Sequence, residues 1–277
     1  MVINSLVRFA EDALTENARY EAEQMVMSAL EISHTELVLH GRNRETTDVD
    51  FQAVGEMVER RKKGEPLQYI LGECEFMSLD FYVESGVLIP RSDTETLVET
   101  VINAAAKDKK AEILDICTGS GCIGISLARF LPYAEVDLID ISDKAIEVAS
   151  KNIIRNDVSD RVKVIKKDIL NEYPDKQYDV VVSNPPYIET DVIDTLQATV
   201  KDFEPRLALD GGEDGLIFYR RIVSLADKII RKNGVLAFEI GYNQGEAVKK
   251  LMEEKFTDVR VIQDLSGNNR VVIGILK

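Results

Sequence analysis

The tetrapeptide Asn184-Pro185-Pro186-Tyr187 follows an apolar run, residues 178–182, that predicts a strand. The Asn184 side-chain oxygen and the Pro185 carbonyl oxygen are hydrogen-bond acceptors, and proline fixes the backbone that carries them. A planar amide or arylamine nitrogen is a weak nucleophile because its lone pair is delocalised. Two rigid acceptors for its N–H groups, with the Tyr187 ring against the planar group, would aim that lone pair at an electrophilic carbon. The tetrapeptide therefore favours methyl transfer to a planar nitrogen over a simple Pro-Pro turn.

A second polar cluster lies at residues 115–121, where another predicted strand turns into a helix. Its glycines let the backbone pass close to a ligand. Asp140 ends the next predicted strand, where a carboxylate can accept hydrogen bonds from both hydroxyls of a ribose. Asp168 follows the third strand, where a carboxylate could meet an adenine amine. Together these positions predict a nucleoside pocket along the carboxyl ends of the strands.

The same turn contains Gly119-x-Gly121-x-x-Gly124, a pattern typical of dinucleotide binding. By itself the pattern also admits NAD as the ligand, and any one glycine could serve a tight turn alone. Asp140 has an alternative role too, because Asp140 or Ser142 could cap the helix that follows. The combination of the three positions, rather than any one of them, indicates the nucleoside pocket.

Strands and helices alternate from about residue 91 onward, which predicts an α/β domain with a mainly parallel, Rossmann-like sheet covered on both faces. The predicted strands are the apolar runs at residues 113–117, 136–139, 162–165, 178–182 and 235–240. The last two runs, residues 259–262 and 270–276, are joined by Ser266-Gly267-Asn268-Asn269. This linker is too short for a crossover helix, so we expect the last strand to be antiparallel.

The N-terminal part has helical periodicity only, with apolar stripes that include Leu6, Val7 and Ala10 and, further on, Phe51 and Met57. Ser33 with Glu36, and Thr47 with Asp50, predict helix N-caps. Two short apolar runs around Ser85-Gly86 then suggest a β-hairpin. We therefore expect a small helical bundle for substrate recognition at residues 1–73, a hairpin connector at 74–90 and a catalytic domain at 91–277.

The composition limits the possible partners. The formal net charge is −15, whereas a protein that grips a nucleic-acid backbone usually carries a basic face. The basic run at residues 60–63 ends a predicted helix, where cations suit the helix dipole. Three cysteines and two histidines predict neither a disulfide framework nor a metal site. We expect a cytoplasmic monomer with no metal, no membrane span and no direct nucleic-acid contact.

Several longer segments resemble the HemK/PrmC family, the release-factor glutamine methyltransferases. The matching segments are residues 64–72 (GEPLQYILG), 88–95 (LIPRSDTE), 184–187 (NPPY), 204–212 (EPRLALDGG) and 238–241 (FEIG). The resemblance implies a class I methyltransferase domain joined by a hairpin to the helical bundle. It implies that S-adenosylmethionine is the cofactor. The expected methyl acceptor is the N5 amide nitrogen of the glutamine in the Gly-Gly-Gln motif of class 1 peptide-chain release factors.

The resemblance also assigns the site residues. The implied cofactor contacts are Cys117, Thr118, Gly119, Ser120, Gly121, Asp140, Asp168, Ile169 and Asn184, and the implied catalytic and substrate contacts are Asn184, Pro185, Pro186 and Tyr187. Residues 90–95 are placed beside the cofactor. Two positions depart from the family pattern, because Cys117 stands where glycine is common and Ser92 where proline is common.

Four other functions are compatible with parts of this pattern. A nucleic-acid adenine methyltransferase can carry the same tetrapeptide and would need to flip a base out of its stack. A glutamine methyltransferase of a ribosomal protein would share the catalytic residues and differ only in the N-terminal domain. An NAD-dependent dehydrogenase leaves the tetrapeptide and the antiparallel last strand unexplained. A binding module without a cofactor would not bind S-adenosylmethionine.

Overall fold

The computed structural model describes residues 1–15, 17–105 and 110–277, which divide into two units. We call Met1–Glu73 the helical unit and Cys74–Lys277 the sheet unit. The helices of the helical unit are α1 (Ile3–Ala13), α2 (Ala18–Leu30), α3 (His34–His40), α4 (Asp48–Lys62) and α5 (Leu67–Leu71).

The core of the helical unit comes from the predicted apolar stripes. Leu6, Val7 and Ala10 are fully buried, as the spacing of the first stripe predicts. Phe51 was expected in the core and is instead 37% exposed; its ring lies 4.6 Å from that of Phe9, between ring centroids. The α4 face near its N-terminus is therefore less covered than its sequence pattern predicts.

The predicted helix caps of the helical unit are confirmed. Ser33 and Glu36 form a reciprocal capping box at the start of α3, and Thr47 and Asp50 form another at the start of α4. Each box satisfies backbone N–H groups that have no partner within the helix. These local signals fix where both helices begin.

The basic run at the end of α4 is engaged inside its own unit. The Arg61 guanidinium holds both carboxylate oxygens of Glu21, at 2.6 and 2.8 Å. Arg60 Nε donates to Glu65 at 2.8 Å. These contacts, with the favourable position at a helix C-terminus, account for the two arginines as structural residues.

The hairpin lies earlier in the chain than the sequence suggests. Its strands are β1 (Glu73–Phe76) and β2 (Leu79–Tyr82), so the turn is Met77-Ser78 and not Ser85-Gly86. Both turn residues have positive φ, 54° and 56°, as a two-residue hairpin turn requires. Glycine was the expected signal for such a turn, and here non-glycine residues take its place.

The remaining strands form one seven-stranded sheet in the order β5-β4-β3-β6-β7-β9-β8. The strands are β3 (Ala111–Ile116), β4 (Ala134–Asp140), β5 (Val162–Lys166), β6 (Tyr178–Ser183), β7 (Ile230–Glu239), β8 (Phe256–Gln263) and β9 (Asn269–Leu276). The strands from β5 to β7 pair in parallel, whereas β9 is antiparallel to both β7 and β8. The predicted α/β class and the antiparallel last strand are confirmed.

Helices cover both faces of this sheet. The helices are α6 (Ser92–Ala104), α7 (Cys122–Phe130), α8 (Asp143–Arg155), α11 (Ile217–Ile229) and α12 (Gly245–Glu253), with short α9 (Ala198–Lys201), α10 (Arg206–Leu209) and a 3-10 turn (Thr190–Thr195) before α11. Apolar residues of α6, α7 and α8 share one buried cluster with one face of the strands, and those of α11 and α12 share a second cluster with the other. Strands buried on both faces explain the nearly continuous apolar runs in the sequence.

Candidate functional site

A cavity opens at the carboxyl ends of the central strands, next to the point where the strand order reverses between β3 and β6. This is where open α/β sheets bind their ligands. The cavity lining includes the predicted residues Cys117, Thr118, Gly119, Ser120, Asp140, Asp168, Ile169, Asn184 and Pro186. Gly121, Pro185 and Tyr187 are not among the lining residues.

The turn after β3 is held from below by a buried carboxyl. Asp115 is fully buried, and its Oδ2 accepts the Thr118 hydroxyl at 2.6 Å and the Gly124 N–H at 3.1 Å. Burial raises the pKa of Asp115 to about 7, although these hydrogen bonds oppose the shift. The backbone can follow this path because Gly119 and Gly121 have positive φ, 55° and 83°.

Cys117 departs from the family pattern at a strained position. Its φ is 59°, a conformation that glycine adopts more easily than cysteine. Burial raises the pKa of its thiol well above the ordinary range, with the carboxylates of the site adding to the shift. The thiol is therefore neutral, and the residue acts as a small side chain in the lining rather than as a nucleophile.

Asp140 joins the loops that follow β3 and β4. Its Oδ2 accepts the Gly119 N–H and its Oδ1 accepts the Ser142 N–H, each at 2.9 Å. Burial raises the pKa of Asp140, opposed by these backbone donors. Each carboxylate oxygen has a further lone pair, so both can also accept a ribose hydroxyl. Ser142, rather than Asp140, caps α8, because its hydroxyl accepts the Ala145 N–H at 3.3 Å.

Asp168 lies in the turn after β5. Its Oδ1 accepts the Leu170 N–H at 3.0 Å, and its Oδ2 accepts the Asn171 side-chain amide at 2.6 Å. The neighbouring Ile169 is buried, and Arg221 holds its carbonyl oxygen at 2.9 Å. The turn is thus anchored from two sides, with a carboxylate and an apolar side chain in the cavity lining.

The tetrapeptide leaves the sheet at the end of β6. Ser183 anchors this point, because its hydroxyl donates to the Ile116 carbonyl at 2.6 Å. The Asn184 amide Nδ2 donates to the Thr94 hydroxyl at 3.4 Å, so Oδ1 is the group left to accept from a ligand. Pro185 and Pro186 are both buried, which adds packing to the stiffness of the proline rings.

Tyr187 packs into the core cluster under α11 and α12 rather than into the cavity wall. Burial raises the pKa of its hydroxyl to about 12. The Gln244 side chain donates to the Tyr187 carbonyl at 2.9 Å, and a Cβ on Gly211 would lie 2.7 Å from the Tyr187 Cα. The segment 204–212 therefore fits closely against the tetrapeptide backbone, which explains why small residues follow α10.

Glu239 belongs to the segment 238–241 that the sequence matched to the family, but the sequence reasoning gave it no role in the site. Phe238 pairs with Ser183, so Glu239 emerges from β7 beside Asn184. It is 2% exposed, and burial raises its pKa to about 7, while hydrogen bonds from Thr94 and Asn184 lower it. The available signal was an acidic residue at the end of an otherwise apolar strand.

Arg91 and Glu204 lie in the matched segments 88–95 and 204–212, but the sequence reasoning did not predict that they pair. Both carboxylate oxygens of Glu204 accept from Arg91 Nη2, at 2.7 and 2.8 Å. The Glu204 side chain is 1% exposed, whereas that of Arg91 is 45% exposed. This ion pair ties the segment before α6 to the segment before α10, and Pro90 and Pro205 beside it both line the cavity.

Within residues 1–15, 17–105 and 110–277, no three His, Cys, Asp or Glu side chains are grouped in a way that could hold a metal ion. Over the same residues, every helix is too short or too polar to cross a bilayer.

Two family matches divide the chain at the same place as the fold. Residues 2–72 match the PrmC N-terminal domain family, and residues 91–213 match the methyltransferase small domain family. Together the two matches cover most of the helical unit and the part of the sheet unit that carries the cavity.

Relatives extend the similarity over nearly the whole chain. A release factor glutamine methyltransferase of Clostridium acetobutylicum is 40% identical over 92% of this chain and 90% of its own length. The protein of the same name from Geobacter sulfurreducens is 42% identical over 94% of this chain and 90% of its own. Among solved structures, a methyltransferase from Pyrococcus furiosus covers 72% of this chain and 90% of its own with a TM-score of 0.53 at 17% identity, which supports the fold alone.

Proposed function

Because the chain belongs to the family of the release factor glutamine methyltransferases, we propose that it methylates the glutamine side-chain amide in the Gly-Gly-Gln motif of a peptide-chain release factor. The methyl donor is S-adenosylmethionine. The observation that carries the proposal is the position of Asn184, whose amide lines the cavity beside the acidic residues at the ends of β4 and β5.

The residues of the cavity fit a nucleoside bearing an amino-acid tail. The Asp140 carboxylate, already fixed by backbone N–H groups, is the proposed acceptor for the ribose hydroxyls, and Asp168 lies at the end of the neighbouring strand for the adenine amine. Gly119 leaves room for close approach, since a Cβ there would meet its nearest neighbour, Val87, only at 3.8 Å. When bound, the donor supplies a methyl group already activated by attachment to a sulfonium sulfur.

We infer that the protein's catalytic contribution is mainly positioning. The substrate amide donates one N–H to Asn184 Oδ1 and the other to the Pro185 carbonyl, which aims the nitrogen lone pair at the methyl carbon. Held by residues 117–121, Asp140 and Asp168, S-adenosylmethionine would supply the methyl group to this nitrogen, and its sulfur would keep the electron pair of the carbon–sulfur bond. The nitrogen becomes acidic as its lone pair is used, so a proton can leave late, to water. Orientation of this kind can supply several kcal/mol, roughly 7–11 in favourable cases.

Tyr187 has a different role in this proposal from the one its position in the motif suggests. Its ring packs into the core, and its backbone carbonyl is held by Gln244. We propose that Tyr187 fixes the path of the tetrapeptide backbone, so that the Pro185 carbonyl keeps its direction. Asn184 and Pro185 then make the contacts with the substrate amide.

We further propose that the helical unit recognises the release factor, whereas the sheet unit binds the cofactor and performs the chemistry. The division is supported by the cavity, whose lining residues all belong to the sheet unit. The relatives support a release factor rather than a ribosomal protein or a nucleic-acid base as the substrate. That the enzyme is a cytoplasmic monomer without a nucleic-acid partner stays a prediction from the sequence.

A direct test incubates the full chain with S-adenosylmethionine and a purified release factor, followed by peptide mass spectrometry. We expect one methyl group on the glutamine of the Gly-Gly-Gln motif and none on a release factor in which that glutamine is replaced by alanine. Ribosomal proteins and an adenine-containing oligonucleotide serve as competing substrates. Methylation of either competitor, with the release factor left unmodified, would overturn the proposal.

A further inference from the structure

We propose that Glu239 is a positioning residue that acts through Asn184. With the Thr94 hydroxyl, its carboxyl group holds the Asn184 side-chain NH2, so that the side-chain oxygen of Asn184 faces the cavity. The inference rests on the proposed function, because it gives that oxygen the task of accepting an N–H of the substrate amide.

The sheet register brings the three residues together. Ser183 at the end of β6 pairs with Phe238 in β7, so the following residues, Asn184 and Glu239, leave the sheet side by side. Thr94 belongs to the first turn of α6, which packs against β7. Thr94 and Glu239 are each 2% exposed, the Asn184 Nδ2 donates to the Thr94 hydroxyl at 3.4 Å, and both Thr94 and Asn184 lower the pKa of the neighbouring Glu239 carboxyl. Asn184 and Thr94 line the cavity, and the carboxyl lies behind them.

The chemistry of an asparagine side chain gives this arrangement its importance. The oxygen and the NH2 of an amide have nearly the same shape, so neighbouring donors and acceptors decide which of them points where. A carboxyl oxygen is an acceptor and therefore selects the NH2. A flipped Asn184 would present N–H groups to a substrate that also presents N–H groups, and neither would find an acceptor.

A purely structural role for Glu239 fits the surroundings poorly. Its Oε2 is buried and has no hydrogen-bond partner within the described residues. The nearby guanidinium of Arg270 is engaged elsewhere, with Asp93 at 2.9 Å and Asp264 at 3.2 Å. Burying an incompletely satisfied carboxyl costs free energy, and a group retained at such a cost beside a cavity points to function.

The test compares steady-state kinetics of variants in the full chain. In Glu239→Gln, an NH2 that cannot accept a hydrogen bond replaces one of the two carboxyl oxygens, so we expect kcat to fall about 10-fold or more from misorientation of Asn184. The Kd for S-adenosylmethionine should change by less than about 2-fold, because the hydrogen bonds that fix Asp140 and Asp168 are untouched. Thr94→Val should lose activity and Thr94→Ser should retain it. The matched control is Asp137→Asn, which removes a carboxylate that accepts from Tyr178 at 2.9 Å, away from the cavity.

Two further measurements separate positioning from general damage. The double variant Glu239→Gln, Asn184→Ala should methylate as fast as Asn184→Ala alone, because the Asn184 side chain through which Glu239 acts is absent. If the two substitutions instead lowered the rate independently and additively, the proposal would be overturned. In 15N-asparagine-labelled protein, the Asn184 side-chain NH2 signals should shift in Glu239→Gln and not in Asp137→Asn. This readout needs no substrate, so it tests Glu239 even if the release factor proves to be the wrong substrate. Unchanged NH2 signals, with unchanged kcat, would also overturn the proposal.

Discussion

Glu21 of the helical unit and Glu239 of the sheet unit are both buried acids and are held in different ways, although the sheet unit also has an acid buried with an arginine, Glu204 with Arg91. In the helical unit, Glu21 is buried with its own counter-ion, because Arg61 bonds both of its oxygens. In the sheet unit, Asp115 and Glu239 are buried with hydroxyl, amide and backbone donors as their partners, and each keeps one oxygen unbonded within the described residues. In the first arrangement, the arginine neutralises the charge of the buried carboxylate. In the second arrangement, the buried carboxyl group fixes the position of groups that line a cavity.

This difference shows which buried acids carry function. A salt bridge such as Glu21–Arg61 satisfies both partners and adds local order to a helix pair. A carboxyl group without a counter-ion can instead fix the position of neighbouring groups through hydrogen bonds. Burial makes the ionisation of such a carboxyl costly, which is why the pKa values of Asp115 and Glu239 rise to about 7. The carboxyl groups whose pKa is raised, Asp115, Asp140, Glu204 and Glu239, all lie around the cavity where the chemistry is expected.

The largest expected effect comes from separating the two units. A chain of residues 74–277 should still bind S-adenosylmethionine and should lose methylation of an intact release factor, because recognition is assigned to the helical unit. Isothermal titration and a mass-spectrometric methylation assay measure the two properties, with circular dichroism to establish that the shortened chain is folded. A normal rate on the intact release factor would show that the helical unit does not recognise the substrate.

A smaller loss is expected when only the acceptor in the sheet unit is removed. Asn184→Ala deletes the oxygen that holds one substrate N–H, so single-turnover methylation should slow by about 10²-fold or more. Asn184→Asp keeps an acceptor and should retain part of the rate, whereas a residue needed only for structure would tolerate alanine about as well as aspartate. Thermal melts of both variants check the fold. A near-normal rate in Asn184→Ala contradicts the proposed mechanism.

The sequence predicts those parts of the molecule that depend on local patterns. The capping boxes of α3 and α4 follow from residues three positions apart, and the antiparallel last strand follows from the short linker at residues 266–269. The hairpin turn was misplaced because non-glycine residues at Met77-Ser78 adopt positive φ, which local propensity disfavours. Phe51 was misassigned because helical periodicity gives the direction of a face and not what covers it.

The part of the site that the sequence could not reveal depends on long-range register. Glu239 lies beside Asn184 only because Phe238 pairs with Ser183 across two parallel strands. Likewise, the ion pair of Arg91 and Glu204 joins segments that are 113 residues apart. All three residues lie in segments that the sequence matched to the family, residues 88–95, 204–212 and 238–241, but a match within one segment does not show which residues meet across the fold. The residues proposed to bind a ligand were named from motifs, whereas the pairing of the residues proposed to orient them required the fold.

Removing the carboxylate of Asp140 should weaken cofactor binding without abolishing it. Asp140→Ala deletes the acceptors for the ribose hydroxyls and also frees the N–H groups of Gly119 and Ser142. We expect binding of S-adenosylmethionine to weaken by about 1–3 kcal/mol, the scale of hydrogen bonds to a charged acceptor. Calorimetry measures the affinity of Asp140→Ala for S-adenosylmethionine. The control variant is Asp160→Ala, which removes a carboxylate from a side chain that is 74% exposed. Equal affinities of the two variants would remove Asp140 from the cofactor site.

The smallest expected effect tests the raised pKa of Glu239 through stability. The ordinary pKa of this carboxyl is 4.5 and its folded value is about 7, so folding favours the protonated form. Below about pH 4.5 the group is neutral in the folded and the unfolded chain alike. As the pH rises from about 4.5 to about 7, the unfolded chain ionises this carboxyl while the folded chain keeps it protonated, so stability is lost relative to a neutral side chain; the loss levels off above about pH 7. The groups facing this carboxyl are Asp93 and Thr94 from α6, Arg270 from β9 and Asn184 after β6.

Glu239→Gln isolates this contribution because glutamine does not titrate. The free energy of unfolding of the wild type, minus that of Glu239→Gln, should fall between about pH 4.5 and pH 7. The shift in pKa sets a limit of about 3 kcal/mol, and relaxation around the buried charge reduces it, so we expect roughly 1–2 kcal/mol. Urea unfolding of both proteins, followed by circular dichroism, measures the difference, and other titrating groups cancel in it. If the unfolding free energies of the wild type and Glu239→Gln changed in parallel with pH, Glu239 would ionise as easily in the folded chain as in the unfolded chain. The contrast with Glu21, whose charge is neutralised by Arg61, would then disappear.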